Sequence, residues 1–298
     1  MTEICPITKV ERILLATEGS EFSEGAVREA IKLAKRCSSR LHAISVVETN
    51  PEYSSLAPQL VEKSEKQARA YLENVQARAK TEGVDCGLVL YEGESSYRDI
   101  ADEAEKQKSS MIVMGRRGRK GFKRLVMGST TAWVIGHAPC SVLVVPRAAQ
   151  IAFKNVLLAT DGSKYSTAAA SEAIGIAKLN KSKLTVIAVV PADLASPADI
   201  EFGVGVMEKV SDQMMREAEK NTKAVKETAQ KEGVDVQALV MTGRPANAII
   251  ETAKDKDADL IVVGSHGRTG LDRLLMGSVA ERVIVLSDSA VLVVKERR

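Results

Sequence analysis

The sequence predicts an α/β fold, doubly wound, with helices on both faces of a parallel sheet, and it predicts that fold twice in succession. Three observations carry this: apolar runs too short for helices and without alternation, stretches of helical periodicity between them, and a repeat that spans the 298 residues. An unalternated run of Ile, Leu and Val suits a strand covered on both faces. Strict alternation of such strands with helices favours right-handed parallel crossovers.

The first strand is expected at Ile13–Thr17, and the segment after it sets Ala26, Ala30, Leu33 and Ala34 at helical spacing, one apolar stripe for a sheet. Further strands are expected at Leu41–Val47, Leu88–Tyr91, Met111–Met114 and Val142–Val145, with helical stretches between them. The order then returns. Val156–Thr160 is followed by the stripe Ala169, Ala173, Ile176 and Ala177, then by Leu184–Val190, Gln237–Met241, Leu260–Val263 and Val291–Val294. RILLATEGS at Arg12–Ser20 recurs as NVLLATDGS at Asn155–Ser163, EGVD begins at Glu82 and Glu232, and VLVV at Val142 and Val291. The spacing between copies lengthens after the second strand, so the second copy carries an insertion between Val190 and Met207, where PADLASPADIEFGVG has the residues of an exposed loop. Two domains are expected, 1–150 and 151–298, each large enough for its own core.

Glycine-rich loops follow the fourth strand of each copy: GRRGRKGFKRLVMGS from Gly115 and GSHGRTGLDRLLMGS from Gly264. Glycines there let the backbone approach a ligand closely, and the Gly-Ser pair that opens the next helix offers free amides, the positive end of the helix dipole and a hydroxyl to an anion. The acidic residue after each first strand, Glu18 or Asp161, lies at a strand's carboxyl end, where open sheets of this kind bind ligands. Asp161 is suited to ribose hydroxyls or a phosphate-bound cation. The plainer readings stand beside these: glycines that serve only a turn, acids that accept local backbone bonds at a helix start, and a solvated basic face for Arg116, Arg117, Arg119, Lys120, Lys123 and Arg124.

The spacing G-x2-G-x9-G-S, present in both halves together with the TDGS-type first strand, resembles that of the universal stress protein family, as a tandem of two such domains. The resemblance covers essentially the whole chain. It implies an adenine nucleotide alpha hydrolase-like fold: two tandem doubly wound five-stranded parallel sheets, each in the order 3-2-1-4-5. Some members bind ATP, and those generally keep this signature. The resemblance implies that Asp161 contacts ribose or phosphate, that the backbone of Val189 at the end of the second strand meets adenine, and that Gly264, Gly267, Gly277, Ser278 and Val279 surround ribose and phosphates, with magnesium as an accompanying cation. Val46, Gly115, Gly118, Gly128, Ser129 and Thr130 occupy the same places in the first copy, where Glu18 replaces the short acid and Thr130 the small apolar residue. The second crevice is therefore expected to be the ATP site, and the first a weaker site or a vestige. By the same resemblance the apolar terminal strands SVLVV and AVLVV are expected to pair within the chain, with two chains associating further as a homodimer and an unidentified protein as partner.

Composition narrows the rest. With 45% hydrophobic and 27% charged residues and no apolar run near the roughly 20 residues a bilayer crossing needs, a cytoplasmic protein without a membrane anchor or secretory leader is expected. A net charge of +3 and 3% aromatics argue against nucleic acid. Cys5, Cys37, Cys86 and Cys140 show no paired spacing, so neither a zinc site nor a redox pair is expected, in keeping with a reducing compartment. His266 lies inside the second loop without a metal-site partner; His42 and His137 are expected to be structural, and Trp133 to be core. The absence of G-x4-G-K-[ST], HExxH, G-x-S-x-G and a dinucleotide fingerprint disfavours a kinase, metalloprotease, hydrolase or nicotinamide enzyme. What remains is a nucleotide-dependent stress-response or signalling protein with at most slow ATP hydrolysis, a nucleotide-free interaction module of the same fold, or an ATPase switch.

Overall fold

A computed structural model describes residues 4–8, 10–116, 127–192, 204–267 and 276–295, with backbone alone over 204–208. The first repeat runs β1 (Arg12–Ala16), a 3-10 turn (Glu21–Ser23), α1 (Glu24–Cys37), β2 (Arg40–Glu48), α2 (Pro51–Leu56), α3 (Pro58–Thr81), β3 (Cys86–Gly93), α4 (Ser96–Lys106), β4 (Met111–Gly115), α5 (Ser129–His137) and β5 (Ser141–Val145). The second runs β6 (Asn155–Ala159), α6 (Lys164–Asn180), β7 (Lys183–Pro191), α7 (Val204–Lys231), β8 (Asp235–Gly243), α8 (Pro245–Asp255), β9 (Leu260–Gly264), α9 (Ser278–Leu286) and β10 (Ala290–Val294).

All ten strands form one sheet in the order β3-β2-β1-β4-β5-β10-β9-β6-β7-β8. Each half has the order 3-2-1-4-5, so the winding reverses between β1 and β4, and between β6 and β9. Successive side chains of a strand point to opposite faces, and both faces here are covered. Ile13 and Leu15 of β1 join the core beneath α1, α3, α6 and α7, whereas Leu14 and Ala16 join the core beneath α4, α5, α8 and α9. Both helical stripes face the first of these cores: Ala26, Ala30, Leu33 and Ala34, and Ala169, Ala173, Ile176 and Ala177.

The halves meet at the only antiparallel pair described, β5 with β10, where Leu143 faces Leu292, Val142 faces Val293 and Val144 faces Val291. Leu143 and Leu292 hold the same place in their repeats, so a pseudo-twofold axis passes between them, as in an isologous dimer interface. That pairing covers the apolar edge each half would otherwise expose. Leading segments are exchanged across the axis as well. Residues after β5 receive Arg28 of α1 at the carbonyls of Arg147 and Ala149, while Pro6 ahead of β1 accepts a hydrogen bond from Asn180 of α6 at 2.8 Å.

Two expectations are corrected. Cys5 and Cys37 are joined by a disulfide. A separation of 32 residues gives no local hint of it; the strap ahead of β1 happens to end beside the last residue of α1. Trp133 is 41% exposed and not core: α5 buries Thr131, Val134 and Ile135, and the indole falls off that stripe to stack on Tyr97 and His137 at centroid distances of 5.1 and 5.6 Å. The His42 ring lies against Gly87 of the neighbouring strand, 2.7 Å from where a Cβ would stand. Among the described residues no helix is long and apolar enough to cross a membrane.

Candidate functional site

In each repeat the winding reverses between the first and fourth strands, and open sheets of this kind form a crevice beyond the carboxyl ends of the strands at that point. In the second repeat β6 ends at Ala159, and Thr160 then closes the ladder by donating its amide to Ile187 at 2.9 Å. Gly162 turns the chain with φ +79°, and Ser163 caps α6 by accepting the Ser166 amide at 3.2 Å. Between these, Asp161 divides its carboxylate. Oδ1 accepts the Ser163 amide at 3.0 Å, which is the plain helix-start role, while Oδ2 faces the glycine loop, 2.9 Å from where a Cβ on Gly267 would stand.

The loop itself is closed by backbone. Gly277 donates its amide to the Ser265 carbonyl at 2.9 Å, and a Cβ on Gly277 would lie 3.4 Å from His266 Cα and 3.5 Å from the Gly267 nitrogen. Asp161, Gly267 and Gly277 are thus consecutive neighbours across the crevice, although they come from three separate stretches of sequence. Gly264 is needed for a different reason. The end of β9 passes so close to the first turn of α6 that a Cβ would meet the Tyr165 carbonyl carbon at 2.7 Å. Gly277 precedes α9 without a side-chain cap, so the first amides of that helix, from Ser278 and Val279 onward, have no partner within the helix or from a capping side chain. Ser278 is exposed and Val279 is 36% exposed. The loop's histidine is held against an aromatic wall, His266 on Tyr165 at 5.1 Å.

Val189 lies one sheet position over. Its strand does not end there, as the sequence suggested, but continues to Pro191 alongside β8. In a parallel ladder alternate residues address the same neighbour. Because Ile187 addresses β6, Val189 turns its amide and carbonyl to that side too, past the point where β6 has ended.

The first crevice has the same frame with different contents. Gly115 ends β4, the Gly128 amide bonds the Arg116 carbonyl at 3.1 Å, and Gly128 precedes Ser129 and Thr130 at the uncapped start of α5. Thr131 uses its hydroxyl on the Gly115 carbonyl at 3.2 Å. Val46 again lies within a strand that runs on, here to Glu48. Glu18, however, folds back to accept the hydroxyl of Ser20 two residues on, its longer chain reaching a local donor. The ring of Tyr71, on α3, sits over the turn, 2.8 Å from where a Cβ on Gly19 would be. Asn221 of α7 covers Gly162 in the same way, with a smaller side chain. Neither Tyr71 nor Asn221 was visible as a site residue; only their matching distance from EGVD marks them. Gly118 and the basic Arg117, Arg119, Lys120, Lys123 and Arg124 lie outside the described residues.

Arg116 is described, and its guanidinium crosses the pseudo-twofold axis. It donates to the carbonyls of Ile284, Val285 and Ser287 at 3.5, 3.0 and 2.7 Å, at the carboxyl end of α9. Lys295 reciprocates on the Gly136 carbonyl of α5 at 2.9 Å. A cavity of about 270 Å³ lies away from both crevices, lined by residues including Leu33, Leu143, Ile151 and Phe153. Among the described residues no group of three or more His, Cys, Asp or Glu is placed to hold a metal ion.

Fold and site together define a tandem α/β protein, two doubly wound five-stranded sheets of order 3-2-1-4-5 joined edge to edge. The family model described as the universal stress protein family matches residues 9–146 and again 152–295, and the chain belongs to that family. It is 42% identical over 146 residues to a universal stress protein of Methanocaldococcus jannaschii, covering 48% of this chain and 83% of the relative. A universal stress protein of Mycolicibacterium smegmatis matches at 29% identity over 300 residues, 96% of this chain and 97% of that one. A universal stress protein structure from Archaeoglobus fulgidus superposes with a TM-score of 0.71 over 98% of both chains at 23% identity, a likeness of fold.

Proposed function

We propose that the chain binds ATP in the crevice of its second repeat and acts as a nucleotide-dependent stress-response or signalling protein. The observation that carries this reading is the run of close approaches from Asp161 Oδ2 through Gly267 to Gly277, with the uncapped start of α9 at its end. In this reading Ser278, Val279 and the amides of the first turn of α9 hold the phosphates, helped by the dipole and the Ser278 hydroxyl. Asp161 Oδ2 accepts a ribose hydroxyl, and the backbone of Val189 meets the adenine edge. Gly264 lets β9 seat against α6, and Gly267 leaves room for the carboxylate. Magnesium, if carried by the triphosphate, has Asp161 as its nearby carboxylate in place of a protein cage. A bound nucleotide supplies charge and contacts that bias the loop; hydrolysis is read as at most slow, since among the described residues none stands in a recognised base or transition-state arrangement.

The first crevice is assigned the weaker role, because Glu18 is turned onto Ser20 and Tyr71 covers the turn. The domains are assigned to 1–150 and 151–298, and any homodimer or protein partner uses surfaces other than β5 and β10, which already cover each other.

Equilibrium binding of labelled ATP to the intact chain tests this directly. Asp161→Ala and Gly277→Val are expected to weaken binding by roughly tenfold or more, consistent with loss of one charge-assisted contact and obstruction of the cradle. Glu18→Ala is expected to leave the tight site unchanged. If neither second-repeat substitution weakens binding, the assignment is wrong. ATP at a hundred times its dissociation constant should raise stability by about 2.7 kcal/mol; no rise would favour a nucleotide-free interaction module.

A further inference from the structure

The segment ahead of β1 is fastened to both repeats at once. On α6, Pro6 accepts from Asn180, and Thr8 Oγ1 lies 3.2 Å from where a Cβ on Gly175 would stand. On α1, Cys5 is bonded to Cys37, the closing residue of the helix. Cys37 and Asn180 hold the same place in their repeats, and the two helix ends touch through Arg36 Nη2 and Asn180 Oδ1 at 3.2 Å. Between the two anchors Ile7 is buried, 2% exposed. The matching segment after β5 is held by Arg28 and by the Ile151 amide on Glu29, with no covalent tie.

We propose that Cys5 and Cys37 are a redox modification site, a thiol–disulfide pair whose oxidation locks this strap across the first helices of both repeats. Both residues are partly exposed, as exchange requires. Reduction begins when a thiolate of a small-molecule or protein dithiol attacks one sulfur and releases the other as a thiolate. The second thiol of the reductant then resolves the mixed disulfide. Two electrons and two protons pass to the pair, and the reductant leaves as a disulfide. In the other direction a peroxide oxidises one thiolate to sulfenic acid, the O–O bond breaking and the second oxygen leaving as water or alcohol; the other thiol condenses with it, expelling water. The remaining cysteines compete poorly, since burial pushes the Cys86 thiol up to about 11 and that of Cys140 up to about 12.

The test uses the full chain, treated with hydrogen peroxide or with dithiothreitol, then alkylated natively with iodoacetamide and weighed intact. Two alkylations after reduction, mapping to Cys5 and Cys37, and none after oxidation are expected. Hydrogen exchange across residues 4–8 should be at least about tenfold faster in the reduced chain, and the thermal midpoint lower by roughly 5 °C. Cys37→Ser, left with the Cys5 thiol alone, should match the reduced form in exchange rate and thermal midpoint in both conditions. Retention of both reactive thiols after peroxide, or equal protection of the strap in the two states, would overturn the proposal.

Discussion

Two glycines of one loop have different physical duties, and substitution separates them. At Gly264 a Cβ meets backbone, which cannot rotate away, so Gly264→Ala should lower folding stability by about 2 kcal/mol or more in denaturant titrations. At Gly267 the added carbon meets the tip of Asp161, which can swing aside. Gly267→Ala should therefore weaken ATP binding about as much as Asp161→Ala while leaving the unfolding midpoint within about 0.5 kcal/mol of wild type. Equal stability losses for both variants would refute the distinction. A second residue-scale prediction concerns Glu103, whose side chain is 1% exposed. Burial pushes its carboxyl up, but donors on Gln107, Tyr91 and Lys106 outweigh that and hold it below the usual range. The folded value lies below the unfolded one, so the stabilisation is complete above about pH 4.5 and is lost as pH falls through the folded value. Glu103→Gln should cost about 1–2 kcal/mol at pH 7, and the gap from wild type should close in acid. A gap that stays constant to pH 3 would show that packing, not ionisation, sets it.

At the scale of elements, each helix that opens at a crevice has its far end held by the opposite repeat. Arg116 leaves the first glycine loop to cap α9, and Lys295 leaves β10 to cap α5. A cation at a helix carboxyl terminus opposes the dipole and satisfies carbonyls that have no partner within the helix. Arg116→Met keeps much of the aliphatic bulk and removes the donors. It should cost about 1–2 kcal/mol in urea unfolding, and because α9 also opens at the second crevice, it should shift ATP affinity there although Arg116 belongs to the first repeat. An unchanged affinity would limit Arg116 to a structural role.

Over the whole molecule the decisive surface is the β5–β10 seam. Leu143 is 1% exposed and faces its own counterpart, so Leu143→Lys buries a charge on the pseudo-twofold axis and should destabilise the chain by more than about 3 kcal/mol. The same self-complementary register predicts the behaviour of an isolated half. Residues 1–150 expressed alone expose the edge of β5, and Val142 can meet Val144 of a second copy as it now meets Val293. Size-exclusion chromatography with light scattering should therefore find a dimer; a monomer at micromolar concentration would mean that the seam depends on the exchanged leading segments.

The repeat, the strands, the two buried stripes and the glycine loops were legible because each is written locally: burial on both faces fixes an unbroken apolar run, a helix against a sheet fixes a period, and a close backbone approach demands glycine. The pairing of β5 with β10 was implied by the family resemblance, to which the apolar edges only added a need for cover. Four features were decided only when the chain closed on itself: Cys5 against Cys37, Trp133 stacked outside the core, Tyr71 and Asn221 over the turns, and Arg116 on the opposite repeat. Each is a meeting of residues from separate elements. Amino-acid order specifies what a segment can bury, whereas side-chain partners across elements depend on the angle and depth at which helices settle on the sheet.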